Sequence, residues 1–93
     1  MEETIRLSDD GLYIGADPAS AVARMDWTWQ DEKTLVVTRT YTAPELRGQG
    51  VAARLMTALV ELARTRGYKI VPQCSYVQKV MDRDPEAYAD LRA

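Results

Sequence analysis

The chain has 93 residues, of which 12 are basic and 14 are acidic, for a formal net charge of −2. This length predicts a single domain spanning residues 1–93 with a modest core, and the charge argues against a nucleic-acid-binding surface. No apolar stretch is long enough for a membrane span, and the N-terminus does not resemble a signal peptide. One cysteine and no histidine argue against an internal disulfide, a zinc site and a histidine-based triad, and they fit a cytoplasmic protein.

The first half of the chain has the pattern of consecutive short strands. Residues 5–7 and 12–14 predict two strands separated by a polar turn, and residues 21–30 alternate between apolar and polar side chains. Residues 31–33 have the length of a hairpin connection. Residues 34–42 are rich in Val, Thr and Tyr, which predicts a long central strand that is covered by a helix on at least one side. We therefore expect an antiparallel meander that leads into this central strand.

A helix is predicted from Val51 to the residue before Gly67. Apolar side chains recur at Val51, Leu55, Leu59 and Leu62, the three- and four-residue spacing of a helix with one buried face. Gly67 is suited to the left-handed residue that ends such a helix.

The turn before this helix lacks the side chains that usually cap a helix. Two glycines, Gly48 and Gly50, stand where a cap and first turn are expected, and Arg47 adds a positive charge. Backbone N–H groups at a positive helix end can bind phosphate, but a turn whose donors are satisfied by water has the same sequence. The turn alone does not decide between these two interpretations.

The end of the chain predicts a return strand and two short helices. Residues 69–71 should pair in parallel with the central strand through a right-handed crossover. Ser75 and Gln78 have the capping-box spacing, which predicts a helix over 76–82. Asp84 and Pro85 then predict a final helical turn or two through residue 91. The predicted fold class is mixed α/β.

Three motifs in this order resemble the very short, single-domain branch of the GCN5-related N-acetyltransferases. They are Thr-Ala-Pro-Glu-Leu-Arg-Gly-Gln-Gly at 42–50, Val-Pro-Gln-Cys-Ser-Tyr at 71–76 and Asp-Pro-Glu-Ala-Tyr at 84–88. Arg-x-x-Gly-x-Ala at 47–52 resembles the pyrophosphate loop of that superfamily. The resemblance implies acetyl-CoA as co-substrate, an amine as acceptor, and backbone donors that polarise the thioester carbonyl.

The resemblance also implies a set of site residues. The expected acetyl-CoA contacts are Arg39, Thr40, Tyr41, Thr42, Arg47, Gly48, Gln49, Gly50, Val51, Ala52 and Cys74. Cys74 and Tyr76 are the catalytic candidates, as acyl acceptor and as proton donor, and Tyr41 is a second candidate donor. The alternatives are a small buried thiol and buried tyrosines with satisfied hydroxyls. No metal site is expected.

The proton acceptor for the attacking amine is left open. Asp26, Glu45, a water chain and Cys74 are the candidates, although either carboxylate is also a common surface charge. Short relatives typically carry His at the positions of Arg39 and Asp84. If those histidines take part in catalysis in the relatives, this chain cannot perform that step in the same way, because it has no histidine.

The function has a second interpretation, a non-catalytic CoA-binding module that acts as a sensor or interaction domain. A third is a structural domain whose glycine turn binds only adventitious anions. Larger members of the superfamily wall the acceptor site with an N-terminal helical segment, for which residues 12–21 leave no room. The acceptor side should therefore be open, completed by a partner, or used for a macromolecular substrate. We expect a monomer or a weak homodimer.

Overall fold

The computed structural model describes residues 4–93, which form a five-stranded mixed sheet with helices between and after its last strands. The strands follow one another across the sheet in chain order. They are β1 (Ile5–Ser8), β2 (Gly11–Ile14), β3 (Ala23–Asp31), β4 (Thr34–Thr42) and β5 (Lys69–Pro72). The first four pair in antiparallel fashion, and β5 is parallel to β4. The predicted meander, central strand and parallel return strand are confirmed.

Two α-helices accompany the sheet, α1 (Val51–Arg66) between β4 and β5, and α2 (Ser75–Arg83) after β5. Short 3-10 turns at Pro18–Ser20 and Pro44–Leu46 complete the connections. The bounds predicted for α1 are confirmed because both of its ends carry strong local signals. At its C-terminus Gly67 is left-handed with φ of 72°, and the Tyr68 N–H donates to the Ala63 carbonyl over 2.8 Å.

The core lies on one face of the sheet. Directly paired residues of neighbouring strands project to the same face, as do residues two apart on one strand. Leu12 of β2 pairs with Met25 of β3, and Ala23 is two residues before Met25. The same face continues through Leu35 of β4, which pairs with Ile70 of β5. These side chains are buried and form one cluster with Leu55 and Leu59 of α1 and Val77 and Met81 of α2. The apolar spacing read from the sequence therefore identifies the buried face of α1.

The opposite face of the sheet is only partly covered. Its side chains include Tyr13, Arg24, Asp26 and Tyr41, which are half-buried, and Arg39, which is exposed. We call this the open face. Helices thus cover the central strand β4 on one side only. This agrees with the prediction that at least one side is covered.

A β-bulge interrupts the pairing of β3 with β4. Asp26 pairs with Arg39 but the next residue, Trp27, pairs with Val37, so Thr38 is an extra residue in β4. The Thr38 hydroxyl donates to the Asp26 carbonyl over 3.3 Å. Because of this extra residue, the buried face of β4 passes from Leu35 and Val37 to Thr40 and Thr42.

The C-terminal predictions need correction. Helix α2 begins at Ser75 rather than 76, its N-cap is Cys74, and no side-chain capping bond forms. Residues 85–90 form turns instead of a helix, although the Asp84 carboxylate does accept from the Ala87 N–H at 3.4 Å. These turns are held by tertiary contacts, since Arg64 of α1 donates to Asp90 at 3.1 Å and Leu91 is buried in the core.

We expect Leu59→Ala to lower the free energy of unfolding by about 2–5 kcal/mol, because it removes a buried side chain from the centre of the core. Urea unfolding followed by circular dichroism measures the change. Glu61→Ala, two residues further along the same helix and exposed, is the control and should change stability by less than about 0.5 kcal/mol. Equal losses in the two variants would contradict the assignment of the buried face.

Candidate functional site

A gap opens between the two parallel strands, β4 and β5. Their pairing runs from Thr34 with Lys69 to Val37 with Pro72 and stops there. The Cys74 N–H then donates to the Val37 carbonyl over 2.7 Å, which fixes the chain beyond β5 at the end of this ladder. Residues 38–42 continue β4 without a partner strand on the β5 side.

Backbone polar groups of β4 point into this gap. The Ala43 N–H donates to the Val22 carbonyl over 2.7 Å, and therefore points toward β3. Because successive residues of an extended strand direct their N–H and C=O groups to opposite sides, Thr40 and Thr42 direct theirs away from β3. Arg47 Nε donates to the Thr42 carbonyl over 3.3 Å, in agreement with that direction. The gap is thus a place where an extended ligand can pair with the backbone of β4.

The glycine turn lies at the N-terminus of α1, beside the gap. Gly48 and Gly50 have φ of 83° and 75°, the left-handed conformation that glycine adopts most easily. Gly50 is the N-cap of α1 and provides no side-chain capping bond. The first intrahelical bond runs from the Arg54 N–H to the Gly50 carbonyl at 3.1 Å, so the N–H groups of residues 51–53 precede the helical ladder. The absence of a cap predicted from the sequence is confirmed.

A cavity of about 280 Å³ joins this turn to the end of β4 and the start of α2. Its lining consists of Thr42, Leu46, Arg47, Gly48, Gly50, Val51, Ala52, Ala53 and Tyr76. The helix dipole and the Arg47 charge make its electrostatic potential positive. The cavity is therefore suited to a phosphate-bearing ligand. Gln49 lies in the same turn, where its side-chain amide donates to the Glu45 carbonyl over 3.2 Å.

Cys74 lies at the base of the gap, between β5 and α2. The residue is buried, with 8% of its surface exposed, and its sulfur is 3.2 Å from the Thr40 hydroxyl oxygen. Either atom of this pair could donate the hydrogen bond. The structure brings the cysteine to the predicted cleft and adds Thr40 as its side-chain partner.

Tyr76 and Tyr41 lie on different faces of the sheet. Tyr76, in the first turn of α2, lines the cavity at the glycine turn, and its burial raises the pKa of the phenol above its ordinary value of 10.0. Tyr41 pairs with Arg24 and projects to the open face. Only Tyr76 is near the cavity, while Tyr41 packs under the guanidinium of Arg39, 5.9 Å from ring centroid to carbon.

The two candidate carboxylates are not close to the thiol. Asp26 lies on the open face, where Arg24 Nε contacts both carboxylate oxygens at 2.9 and 3.1 Å. Glu45 is exposed in the 3-10 turn before Arg47. Neither is placed beside Cys74 by any described contact.

Two features of the site were missed by sequence reasoning, the Thr40–Cys74 contact and the bulge at Thr38. Neither has a sequence signal, because residues 38–42 contain no apolar alternation that a shift of register would break. Among residues 4–93, no cluster of three or more His, Cys, Asp or Glu side chains could hold a metal ion.

A second cavity, of about 360 Å³, lies at the other end of α1. Its aromatic walls, Trp27 and Trp29, both donate their indole N–H to the Asp9 carbonyl, at 3.2 and 2.9 Å. It is larger than the cavity at the glycine turn, but its lining does not include the uncapped start of α1. The smaller cavity is therefore the better candidate for the site.

The fold and this site together define an acyltransferase of the N-acetyltransferase class. A family model described as GCN5-related N-acetyl-transferase matches residues 12–91. The chain belongs to this family, and the resemblance read from its motifs is confirmed. None of its described helices is both long and apolar enough to cross a membrane.

Solved structures of the same class share the fold. A Staphylococcus aureus protein solved by NMR, named for its likeness to GCN5 N-acetyltransferases, is 30% identical with a TM-score of 0.76, and the match covers 97% of this chain and 87% of that one. A crystal structure from Agrobacterium tumefaciens, named as an acetyltransferase, is 25% identical with a TM-score of 0.56, covering 88% of this chain and 60% of that one. The comparison with curated proteins gave no significant match.

Gly50→Ala should abolish or strongly weaken acetyl-CoA binding, because it adds a side chain and backbone strain where the phosphates would approach the turn. Isothermal titration calorimetry measures the affinity. Gly67→Ala is a matched control: Gly67 also has a left-handed φ, 72°, with open space around an added Cβ, but ends the same helix.

Both variants should lose about 1–2 kcal/mol of stability, the typical cost of a left-handed non-glycine residue. Only Gly50→Ala should lose binding. Wild-type affinity in folded Gly50→Ala protein, or equal losses in both variants, would remove the turn from the site.

Proposed function

We propose that this protein is an acetyl-CoA-dependent N-acetyltransferase that transfers the acetyl group to a primary amine. The observation that carries the proposal is the junction of two features. The first is the N-terminus of α1, which has no side-chain cap and is preceded by Arg47. The second is the gap between β4 and β5, where backbone groups of β4 have no partner strand. One cavity lies between the two. The first feature suits a pyrophosphate, and the second suits an amide-bearing arm.

In this proposal residues 47–52 bind the pyrophosphate through backbone N–H groups and Arg47. The C=O of Thr40 and the N–H of Thr42 pair with the amides of the pantetheine arm in the gap. The N–H of Thr40, the nearer of the two to the bulge, donates to the thioester oxygen and stabilises the negative charge that develops during attack. Of the contacts expected from the sequence, those of residues 47–52, Thr40, Thr42 and Cys74 lie around the gap and its cavity, whereas the side chains of Arg39 and Tyr41 lie on the open face. All of them remain predictions.

The transfer needs a neutral amine nitrogen. The amine attacks the thioester carbon, the new C–N bond forms, the C–S bond breaks, and CoA departs as a thiolate. The attacking amine loses a proton to water or a carboxylate, and the thiolate gains one. Tyr76 is the proposed donor of that second proton, because it lines the cavity at the start of α2, two residues after Cys74, and carries a phenol proton.

Cys74 has two possible roles beside this path. As an acyl acceptor it would attack the thioester itself and carry the acetyl group as a new thioester before the amine attacks. As a wall residue it would only bound the gap, held by Thr40. Its deep burial favours the second role.

Tyr76→Phe should lower the rate of CoA release at least about tenfold, given the 10²–10⁴-fold typical of proton-transfer catalysis. The acetyl-CoA affinity should change little, because only the hydroxyl is removed. Single-turnover kinetics and calorimetry separate the two effects. An unchanged rate would exclude Tyr76 as the proton donor.

Acetyl-CoA should protect Cys74 from alkylation by iodoacetamide without forming a covalent adduct. Cys74 is the chain's one cysteine, so intact-protein mass spectrometry reads both events without ambiguity. Cys74→Ala should retain acetyl-CoA binding. An added acetyl group on wild-type protein that is absent from Cys74→Ser would instead establish the acyl-acceptor role, and unchanged alkylation with and without acetyl-CoA would remove Cys74 from the site.

A second candidate function is a CoA-binding module without transfer activity. It is favoured by one observation, namely that the carboxylate candidate on β3, Asp26, is engaged by Arg24. Acetyl-CoA binding without CoA release in the presence of any amine would support it. The single domain, the cytoplasmic location and the monomer or weak homodimer remain predictions.

A further inference from the structure

The gap between β4 and β5 has two sides, and the proposed function assigns only one of them. The cavity at the glycine turn, with Thr42 and Tyr76 in its lining, lies on the side of the helices. A cofactor held there occupies that side of the gap. An acceptor amine that attacks the thioester must therefore approach from the open face, next to Arg39 and Tyr41.

The arginine nearest to this approach, Arg39, has no acidic partner among residues 4–93 within ion-pair distance. Asp26 is paired with Arg39 in the strand register, yet its carboxylate is bound by Arg24 instead, at 2.9 and 3.1 Å. Arg24 also donates to the Pro18 carbonyl over 3.1 Å, so its side chain is held by both Asp26 and Pro18. Within the part of the chain that the structure describes, the contact of Arg39 is with the ring of Tyr41.

Tyr41 supports the guanidinium without neutralising it. The ring lies 5.9 Å from the Arg39 guanidinium carbon, a cation–π geometry that leaves the N–H fork available to a ligand. A planar fork of this kind recognises carboxylate or phosphate by two parallel hydrogen bonds. Its preorganisation by the ring reduces the side-chain entropy that binding costs.

The charge of the surrounding surface has the same sign. Arg6, Tyr13, Arg24 and Tyr41 lie opposite one another in register across four strands, beside the pair of Asp26 and Arg39. Among the described residues, these two rows contain three arginines and one aspartate, and a second aspartate, Asp10, accepts from the Ser8 hydroxyl at the end of the row of Asp26 and Arg39. This patch of the open face attracts an anionic group and disfavours a polycation.

We propose that Arg39, supported by Tyr41, selects the acceptor, and that the acceptor is a primary amine bearing a carboxylate or phosphate group. The inference rests on the proposed function for the identity of the transferred group, but recognition of the acidic group is a property of the open face itself. The acidic group would bind Arg39 while the amine reaches the gap.

The test titrates ¹⁵N-labelled protein saturated with CoA, and follows the backbone amides of residues 39–41 by NMR. The probes are the dipeptide amides Ala-Glu-NH₂ and Ala-Gln-NH₂, which share a free amine and differ by one negative charge. Spermidine tests whether the acceptor is instead a polycation. Free glutamate tests whether the acidic acceptor is a small amino acid rather than a peptide.

Ala-Glu-NH₂ should bind about tenfold more tightly than Ala-Gln-NH₂, the ratio expected for one charge-assisted interaction. Arg39→Glu should abolish that preference, and Arg39→Lys should retain part of it because the charge remains without the fork. Arg6→Glu changes the net charge of the same face equally, but Arg6 lies on β1, three strands from β4, so this variant should reduce the preference far less than Arg39→Glu.

Equal affinities for the two dipeptides, tighter binding of spermidine, or the same loss in Arg39→Glu and Arg6→Glu would overturn the proposal. Absence of any shift at residues 39–41 would do so as well. CoA release, measured by chromatography with acetyl-CoA and the same amines, is a separate readout. Charge-dependent binding without CoA release would retain Arg39 as the recognition residue and reject the proposed transfer.

Discussion

The site depends on the early end of the pairing between β4 and β5. The ladder stops at Val37 and Pro72, and the hydrogen bond from the Cys74 N–H to the Val37 carbonyl closes it. One residue further along β4, the bulge at Thr38 shifts the register with β3. Bulges bend a strand and increase its twist, which accounts for the departure of β4 from the line of β5 at this point. Thr40 consequently faces the gap with its backbone and contacts Cys74 with its hydroxyl.

The two ends of α1 differ in how their backbone groups are satisfied. The C-terminal end is completed by Gly67 and by a hydrogen bond from Tyr68 to Ala63. The N-terminal end has no side-chain cap, which typically forgoes about 0.5–2 kcal/mol of helix stability. Buried Val51 and Leu55 anchor the same end in the core, so the helix persists without a cap. This arrangement keeps N–H donors available to a ligand at modest cost to the fold.

The sequence predicted the elements whose signals are local or periodic. Both α1 and β4 were predicted with their observed bounds, because the apolar spacing, the two glycines and the hairpin connection agree with one another. The start of α2 was wrong by one residue for a tertiary reason. The bond from Cys74 to Val37 fixes that residue in place, and the Gln78 N–H bonds to the Cys74 carbonyl over 2.9 Å, so Cys74 rather than Ser75 becomes the N-cap.

For the candidate site, the sequence predicted the glycine turn and a position for Cys74 beside the end of the parallel strand, where the structure has it, but the faces of the sheet required the structure. Residues 38–42 alternate threonine with Arg39 and Tyr41, so no hydrophobic pattern distinguishes one register from another. The structure separates Tyr41 from Tyr76 and pairs Asp26 with Arg24, which changes the roles these residues can take.

The short connection between β2 and β3 explains why the open face can be a binding surface at all. This connection contains one 3-10 turn, Pro18–Ser20, held by a bond from the Ser20 N–H to the Asp17 carboxylate at 3.0 Å. Arg24 donates from the sheet to the carbonyl of Pro18, and the same arginine forms an ion pair with Asp26. A longer helical connection would cover this face with apolar contacts. Here polar and aromatic side chains satisfy one another across the strands. Among the described residues, the contact of Arg39 is with the ring of Tyr41, beside the proposed path of the acceptor.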